Sequence, residues 1–275
     1  MNPTLRSAFE NAHKLGQFVA GLDVVSGTSL MIGCGVLAAG GGIILARAMA
    51  GPRALVENNV IGGFAFVSYG QVFAAMLTFI LIDCGVRYAD SVRATSREAR
   101  AIRLFHDAVG RFDQKSQYDL QYSVKRYALS VVEDEWSTLA DEHAASPKTA
   151  GYIRDVYRRL MSVNPAAGQN EPAYLEACEL FMQIVDSRDL RLASAGNIHI
   201  ANLVWAILWS MTAMAIVLTW LFGNNDLMLQ LVMTAIIVSA FMGLMYFAIL
   251  LDHPFRGSLA INSAAFRNIG IPLVN

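Results

Sequence analysis

Residues 60–82 read VIGGFAFVSYGQVFAAMLTFILI, and the first charge, Asp83, follows at once. No Asp, Glu, Lys or Arg interrupts the run. It is longer than the roughly 20 residues that a helix needs to cross the hydrocarbon core of a bilayer. Three more runs share the property: Val24 to Ala46, Ile200 to Phe222 and Leu227 to Leu251. The chain has 275 residues, 55% of them hydrophobic and 16% charged. Soluble domains carry about a quarter charged residues. Four such runs predict an all-α integral membrane protein with four transmembrane helices.

The first run follows a long polar lead and exceeds a signal-peptide core of about 7–15 residues, so it is expected to stay in the protein. Four spans put both termini on one side, together with the block between spans two and three. Lys and Arg near the spans crowd that side: Arg6, Lys14, Arg87, Arg93, Arg97, Arg100, Arg103, Arg188, Arg191, Arg256 and Arg267, against Arg47 and Arg53 on the other. The positive-inside rule then makes the termini and the middle block cytoplasmic. The expected organisation is an N-terminal interfacial segment at 1–23, spans one and two within 24–86 and a helical cytoplasmic domain at 87–198. Spans three and four follow within 199–251, and a cytoplasmic tail occupies 252–275.

The middle block has helical periodicity. Val92, Ala99, Ile102, Phe105, Val109 and Phe112 recur at three- and four-residue steps, as do Leu120, Val124, Tyr127 and Val131. Roughly four helices are expected there. Ser146-Pro147 reads as a helix start with Pro in the first turn, and Glu171-Pro172 opens another. No breaker separates span two from "LIDCGVRYADSVRA", so that helix should run on past the membrane. Leu5, Phe9, Ala12 and Val19 suggest an interfacial amphipathic helix.

Enzyme signatures are missing: no G-x-G-x-x-G, P-loop, G-x-S-x-G or H-E-x-x-H occurs. His106, His143 and His199 have no second ligand at metal spacing. Cys34, Cys84 and Cys178 are odd in number and form no CxxC, which argues against a disulfide framework or thiolate metal site. No metal or cofactor is expected. The net charge of −1 and the lack of a basic block give no case for nucleic acid. The acidic run "VEDEW" at 132–136 reads as a solvated helix face.

Polarity within the membrane is more informative. Span two holds Ser68, Tyr69, Gln71 and Thr78, with Asp83 at its inner end and Arg87 one turn further. Polar side chains avoid lipid, so these should face protein or water. Hydrogen bonding between helices and pore lining are both open. Asp83 can pair with Arg87 at i,i+4. Span one is rich in Gly, which predicts close helix packing, within the subunit or against a neighbour. Spans three and four are almost wholly apolar and are expected to form the lipid-facing shell, with Trp205, Trp209 and Trp220 as interface anchors or packing groups. After span four, Asp252 is the first charge, Pro254 stops the helix, Phe255 can return to the interface, Arg256 can meet phosphates and Gly257 permits a turn.

The segment "DHPFRGSLAI" at 252–261 also resembles the D-x-P-F-x-G signature of the bacterial bestrophin-like domain family, carried here by Asp252, Pro254, Phe255 and Gly257. In the same order, "VENN" at 56–59, "SREARAI" at 96–102, "YALSVVEDEW" at 127–136 and "SRDLRL" at 187–192 resemble further family segments. His253 stands where the family usually has Arg, and "GNIHIANLVW" lacks a Pro common before span three. The resemblance implies a bestrophin-like, pentameric homo-oligomer of a bacterial inner membrane. Its subunits would conduct small inorganic anions through a pore lined by span two. It nominates Phe66, Tyr69 and Phe73, which share a helix face, as pore-lining residues. An aromatic edge can stabilise a partly dehydrated anion or gate by dewetting. Glu57, Asn58 and Asn59 would stand at the outer mouth. No acidic cluster follows Gly257, so calcium gating is not expected.

Three functions compete. The first is an anion channel. The second is a non-conducting scaffold or sensor whose cytoplasmic helices bind a partner. The third, a membrane enzyme, has no paired acid–base or metal constellation to support it.

Overall fold

The chain's four long apolar runs each become a helix of membrane length, in the order and at the places expected. The computed structural model describes residues 19, 21–57, 59–141, 144–164, 171–196 and 202–271. The expected interfacial helix through Leu5, Phe9 and Ala12 lies outside them, as do Asn58, His143 and His199. Among the described residues there is no strand. The helices are α1 Val24–Ala50, α2 Pro52–Glu57, α3 Asn59–Ala108, α4 Gln114–Ser130, α5 Trp136–Asp141, α6 Pro147–Ser162, α7 Glu171–Gly196, α8 Asn202–Trp220, α9 Leu227–Asp252 and α10 Ala264–Arg267. The chain divides into two compact units. One comprises Met1–Val86 with Ile200–His253, and the other Arg87–His199 with Pro254–Asn275.

In the first unit α1 packs along α9 and against α8, and small residues decide how closely. Gly27 lies under Tyr246, Gly35 under Met242 and Val238, and Gly42 under Trp220. A Cβ built on Gly42 would stand 1.9 Å from the Trp220 ring. The close packing predicted from the Gly-rich run is therefore made within the subunit, while Gly33 and Gly41 face open space. The turn between α8 and α9 is held from α3: Asn59 Nδ2 donates to the Gly223 carbonyl at 2.8 Å, and Gly223 N–H donates to Asn59 Oδ1 at 2.9 Å. Gly223 comes so close to Val56 N and the Leu55 carbonyl carbon that a side chain there would collide with backbone, at 2.4 and 2.6 Å. Asp226 caps α9 by accepting from Met228 N at 2.8 Å and Leu229 N at 3.3 Å. That satisfies donors a helix start leaves orphaned.

In the second unit the polar half of α3, with α4, α6 and α7, closes a core of Ile102, Phe105, Leu120, Val124, Val156, Leu160 and Ile184. The expected start of α6 is present: Ser146 Oγ accepts from Thr149 N and Pro147 occupies the first turn. Residues 254–271 join this unit rather than trailing from it, since Phe266 is fully buried in the same core. Ile261 N–H donates to the Pro254 carbonyl at 2.8 Å, and Ala260 N–H to the Gly257 carbonyl at 3.1 Å. Gly257 sits at φ 78°, a conformation that costs other residues free energy.

Candidate functional site

The residues of α3 decide how its two sides are used. On one side Phe73, Leu77, Ile80 and Cys84 are buried against Leu208 of α8 and Met245 of α9. Phe66, Tyr69 and Phe73 share a face, as their spacing predicts, but that face turns into the subunit. Phe66 stands edge-on to Phe222 at 5.4 Å, and Phe73 to Phe241 at 5.1 Å. Tyr69 Oη donates to the Met211 carbonyl at 2.8 Å. Phe73 is 0% exposed. Phe73 is thereby committed to packing within the subunit, while Phe66 and Tyr69 keep part of their surface uncovered.

The opposite side of α3 carries Phe64, Ser68, Gln71, Ala75, Thr78 and Ile82, all exposed and at three- or four-residue steps. Thr78 satisfies its hydroxyl on the Ala74 carbonyl at 2.8 Å. Ser68 and Gln71 hydrogen-bond to no described residue. Of the four apolar helices α3 is the least covered, with 17% of its apolar window buried, and α9 the most, with 44%. The latter sits against α1 because Gly27 and Gly35 let it. Its other side still exposes Met233, Ile236, Leu244 and Phe247.

The remaining expected sites fall as follows. Glu57 is exposed at the end of α2, whereas Asn59 is committed to the Gly223 clamp. Asp83 is exposed and Arg87 half-buried on α3. Asp252 is buried at the end of α9 and accepts from Trp205 Nε1 at 3.1 Å, which makes Trp205 a packing group rather than an interface anchor. His253 Nδ1 lies 2.9 Å from the Ile249 carbonyl. In the second unit Phe255 is 5% exposed and stands edge-on to Trp136 at 5.6 Å, so it anchors to protein and not to a membrane surface. Trp136 Nε1 donates to the Ile261 carbonyl at 3.0 Å, and Tyr88 Oη to that of Leu259 at 2.8 Å.

The second unit also encloses a charged cluster that the sequence reading missed. Arg191, 0% exposed, donates Nε to Glu98 Oε2 at 2.7 Å, Nη2 to Glu98 Oε1 at 3.1 Å and Nη2 to Glu135 Oε2 at 2.7 Å. Arg188 Nη2 donates to Glu135 Oε1 at 2.5 Å, and Tyr127 Oη to Glu98 Oε1 at 2.5 Å. The Arg191 guanidinium stands 5.4 Å from the Trp136 ring centroid and 5.7 Å from that of Phe266, in cation–π range. Two carboxylates meet two guanidiniums, so the buried charge cancels. Burial alone would lower the Arg191 pKa, yet the facing carboxylates hold it above its ordinary value. Burial raises Tyr127, and the Glu98 carboxylate adds to that.

Glu135 reaches this cluster because the helix widens into a π-turn over Val131–Glu135, closed by Trp136 N–H on the Val131 carbonyl. Glu135 is fully buried, which corrects the reading of "VEDEW" as a solvated face; of that run's acids Glu133 is exposed and Asp134 half-buried. A signal was present: Glu98, Tyr127, Glu135, Arg188 and Arg191 come from "SREARAI", "YALSVVEDEW" and "SRDLRL", three segments quoted above for their resemblance. Among the described residues no cluster of His, Cys, Asp and Glu could hold a metal ion.

The fold has close counterparts among solved structures. Two substituted variants of a bacterial bestrophin homologue from Klebsiella pneumoniae superpose on the chain. One gives a TM-score of 0.68 at 14% identity, covering 89% of this chain and 96% of the other. The second gives 0.69 at 14%, covering 90% and 97%. No curated protein sequence matches the chain significantly. The bestrophin-like domain matches residues 33–266. Four membrane-length helices, an inserted helical unit and that match together place the chain in the bestrophin-like domain family.

Proposed function

We propose that the chain is one subunit of a homo-oligomeric channel for small inorganic anions, with the outward side of α3 lining the pore. One observation carries this. Ser68 and Gln71 lie on the exposed side of a membrane-length helix with no hydrogen-bond partner among the described residues. In lipid each would lose its hydrogen bonds at a cost of about 2–7 kcal/mol; a water-filled lumen or a neighbouring copy removes that cost. The low coverage of α3 fits the same arrangement. Outside the apolar helices, Leu175, Met182 and Leu190 form an exposed stripe on α7, between 54% and 60% exposed, which suits contact with a second copy. Five copies are proposed, as the resemblance of the sequence implies. The Lys and Arg distribution supports a cytoplasmic second unit, and the family resemblance supports a bacterial inner-membrane location. Glu57 at the end of α2, just before α3, and Asp83 with Arg87 further along α3 are proposed as mouth groups.

The test is purified protein in planar bilayers under asymmetric chloride. Currents reversing near the chloride potential, with unitary conductance altered by Gln71→Leu, support the reading. Silence across voltage, pH and calcium refutes it in favour of the scaffold. Reversal at the cation potential keeps the channel and removes the anion.

A further inference from the structure

Beyond Arg87, α3 buries Glu98, Ala99, Ile102 and Phe105 on one side and presents four arginines on the other: Arg93, Arg97, Arg100 and Arg103, all exposed. Arg93 is paired with Asp90 at 3.1 Å. Arg97, Arg100 and Arg103 make no hydrogen bond or ion pair with any described residue. They follow at steps of three, so each guanidinium repels the next on the helix surface. The buried face fixes the rotation of the helix, and the column cannot turn inward to relieve that repulsion. The next acid along α3 on the same side, Asp107, stands a turn past Arg103 and lies 3.6 Å from His106 Nδ1.

We infer that Arg97, Arg100 and Arg103 form an anion-concentrating stripe that sets the charge preference of the channel. The inference rests on the proposed function and adds the residues that select. Arg100 stands roughly eight turns along α3 from Gln71, so the two share a side of the helix. A ring of copies that presents Gln71 to the pore presents the arginines to the ions beyond it, and their fields add. Lipid headgroups are a poor match for the stripe. Arg97 lies about 21 Å along the helix axis from Asp83 at 1.5 Å per residue, whereas the headgroup layer adds only roughly 5–8 Å to each side of the core. A docked protein is a poor match as well: interfaces favour Arg but set it among aromatic rings and Met, and no exposed aromatic ring or Met stands among these arginines. Mobile inorganic anions have the right charge and need no apolar contact.

The experiment compares chloride-to-potassium permeability ratios, from reversal potentials, of wild type and the Arg97→Gln, Arg100→Gln, Arg103→Gln triple variant. A second triple variant, Lys115→Gln, Arg154→Gln, Arg158→Gln, removes the same charge from exposed positions elsewhere in the unit. A Lys replacement at the three stripe positions keeps the charge. At about 0.1 M salt the stripe variant should lose about tenfold in the ratio, the low end of electrostatic focusing, while the control triple and the Lys triple match wild type. At about 1 M salt, where the Debye length is roughly 3 Å, the stripe variant and wild type should converge. A conducting wild type whose ratio is unmoved in the stripe variant, or equally moved in the control, overturns the inference and leaves the channel intact. A wild type that passes no ion overturns both.

Discussion

Arg191 grips Glu98 with two nitrogens, Nε at 2.7 Å and Nη2 at 3.1 Å, and neither side chain reaches solvent. Taking such charges out of water is costly, and the pair is held by geometry and by the second carboxylate, Glu135. Removing one partner leaves a buried charge uncompensated. Glu98→Met or Arg191→Met should therefore cost about 3–5 kcal/mol, read as a large drop in the melting temperature of the solubilised protein. The combined Glu98→Met, Arg191→Met variant leaves Arg188 and Glu135 paired and should recover part of the loss. Simple addition of the two single effects would show that they are not coupled.

Two adjacent glycines of α1 make a sharper comparison. A Cβ at Gly42 would enter the Trp220 ring, whereas one at Gly41 meets nothing within 4 Å. Gly42→Ala should destabilise by about 1–3 kcal/mol through overpacking. Gly41→Ala should be neutral or slightly stabilising, since Ala is the better helix former by roughly 1 kcal/mol. Equal effects at the two positions would mean that α1 does not pack on α8 as described.

These residues also mark what was legible in the sequence. The apolar runs were, because lipid tolerates no charge, and their ends at Asp83 and Asp252 are written in the residues themselves. Which side of α3 faces outward was not. In water an apolar side marks the interior, but in a membrane both sides are apolar, so the spacing of Phe66, Tyr69 and Phe73 gave a shared face without its direction. The aromatic face went inward because the turn after α8 offers Phe222 and α9 offers Phe241 to pack on, partners far away in the chain. Glu135 was misread for a related reason. A charge run looks solvated until two arginines from another helix are known to meet it, and the π-turn that delivers it leaves no mark in the residue pattern.

Asn59 tests whether the expected mouth residues are structural. Its amide both donates to and accepts from the backbone of Gly223. Asn59→Ala should lose both bonds, about 1–3 kcal/mol at 0.5–1.5 each. Asn59→Asp keeps the acceptor and loses the donor, and should fall between. If both variants melt like wild type while conductance changes, Asn59 serves the ion path and not the turn.

Tyr127 carries the pH prediction. It is fully buried with its hydroxyl on Glu98, and burial and that carboxylate both raise its pKa above the ordinary value near 10. The folded protein thus holds the phenolic proton more tightly than the unfolded chain does. The resulting stability is fully present below about pH 10 and is lost as pH rises from there towards the folded value, with a slope of up to about 1.4 kcal/mol per pH unit for one proton. Tyr127→Phe removes the titration together with the hydrogen bond. At pH 7 it should be less stable by about 1.5–3 kcal/mol, the range for a bond to a charged group. Above pH 10 its stability should fall less steeply than that of wild type, and the two curves should approach each other. Denaturant titrations at pH 7, 9, 10 and 11 measure both slopes. Parallel curves through the alkaline range would show that Tyr127 ionises as freely in the folded protein as in the unfolded one, which the buried contact with Glu98 does not allow.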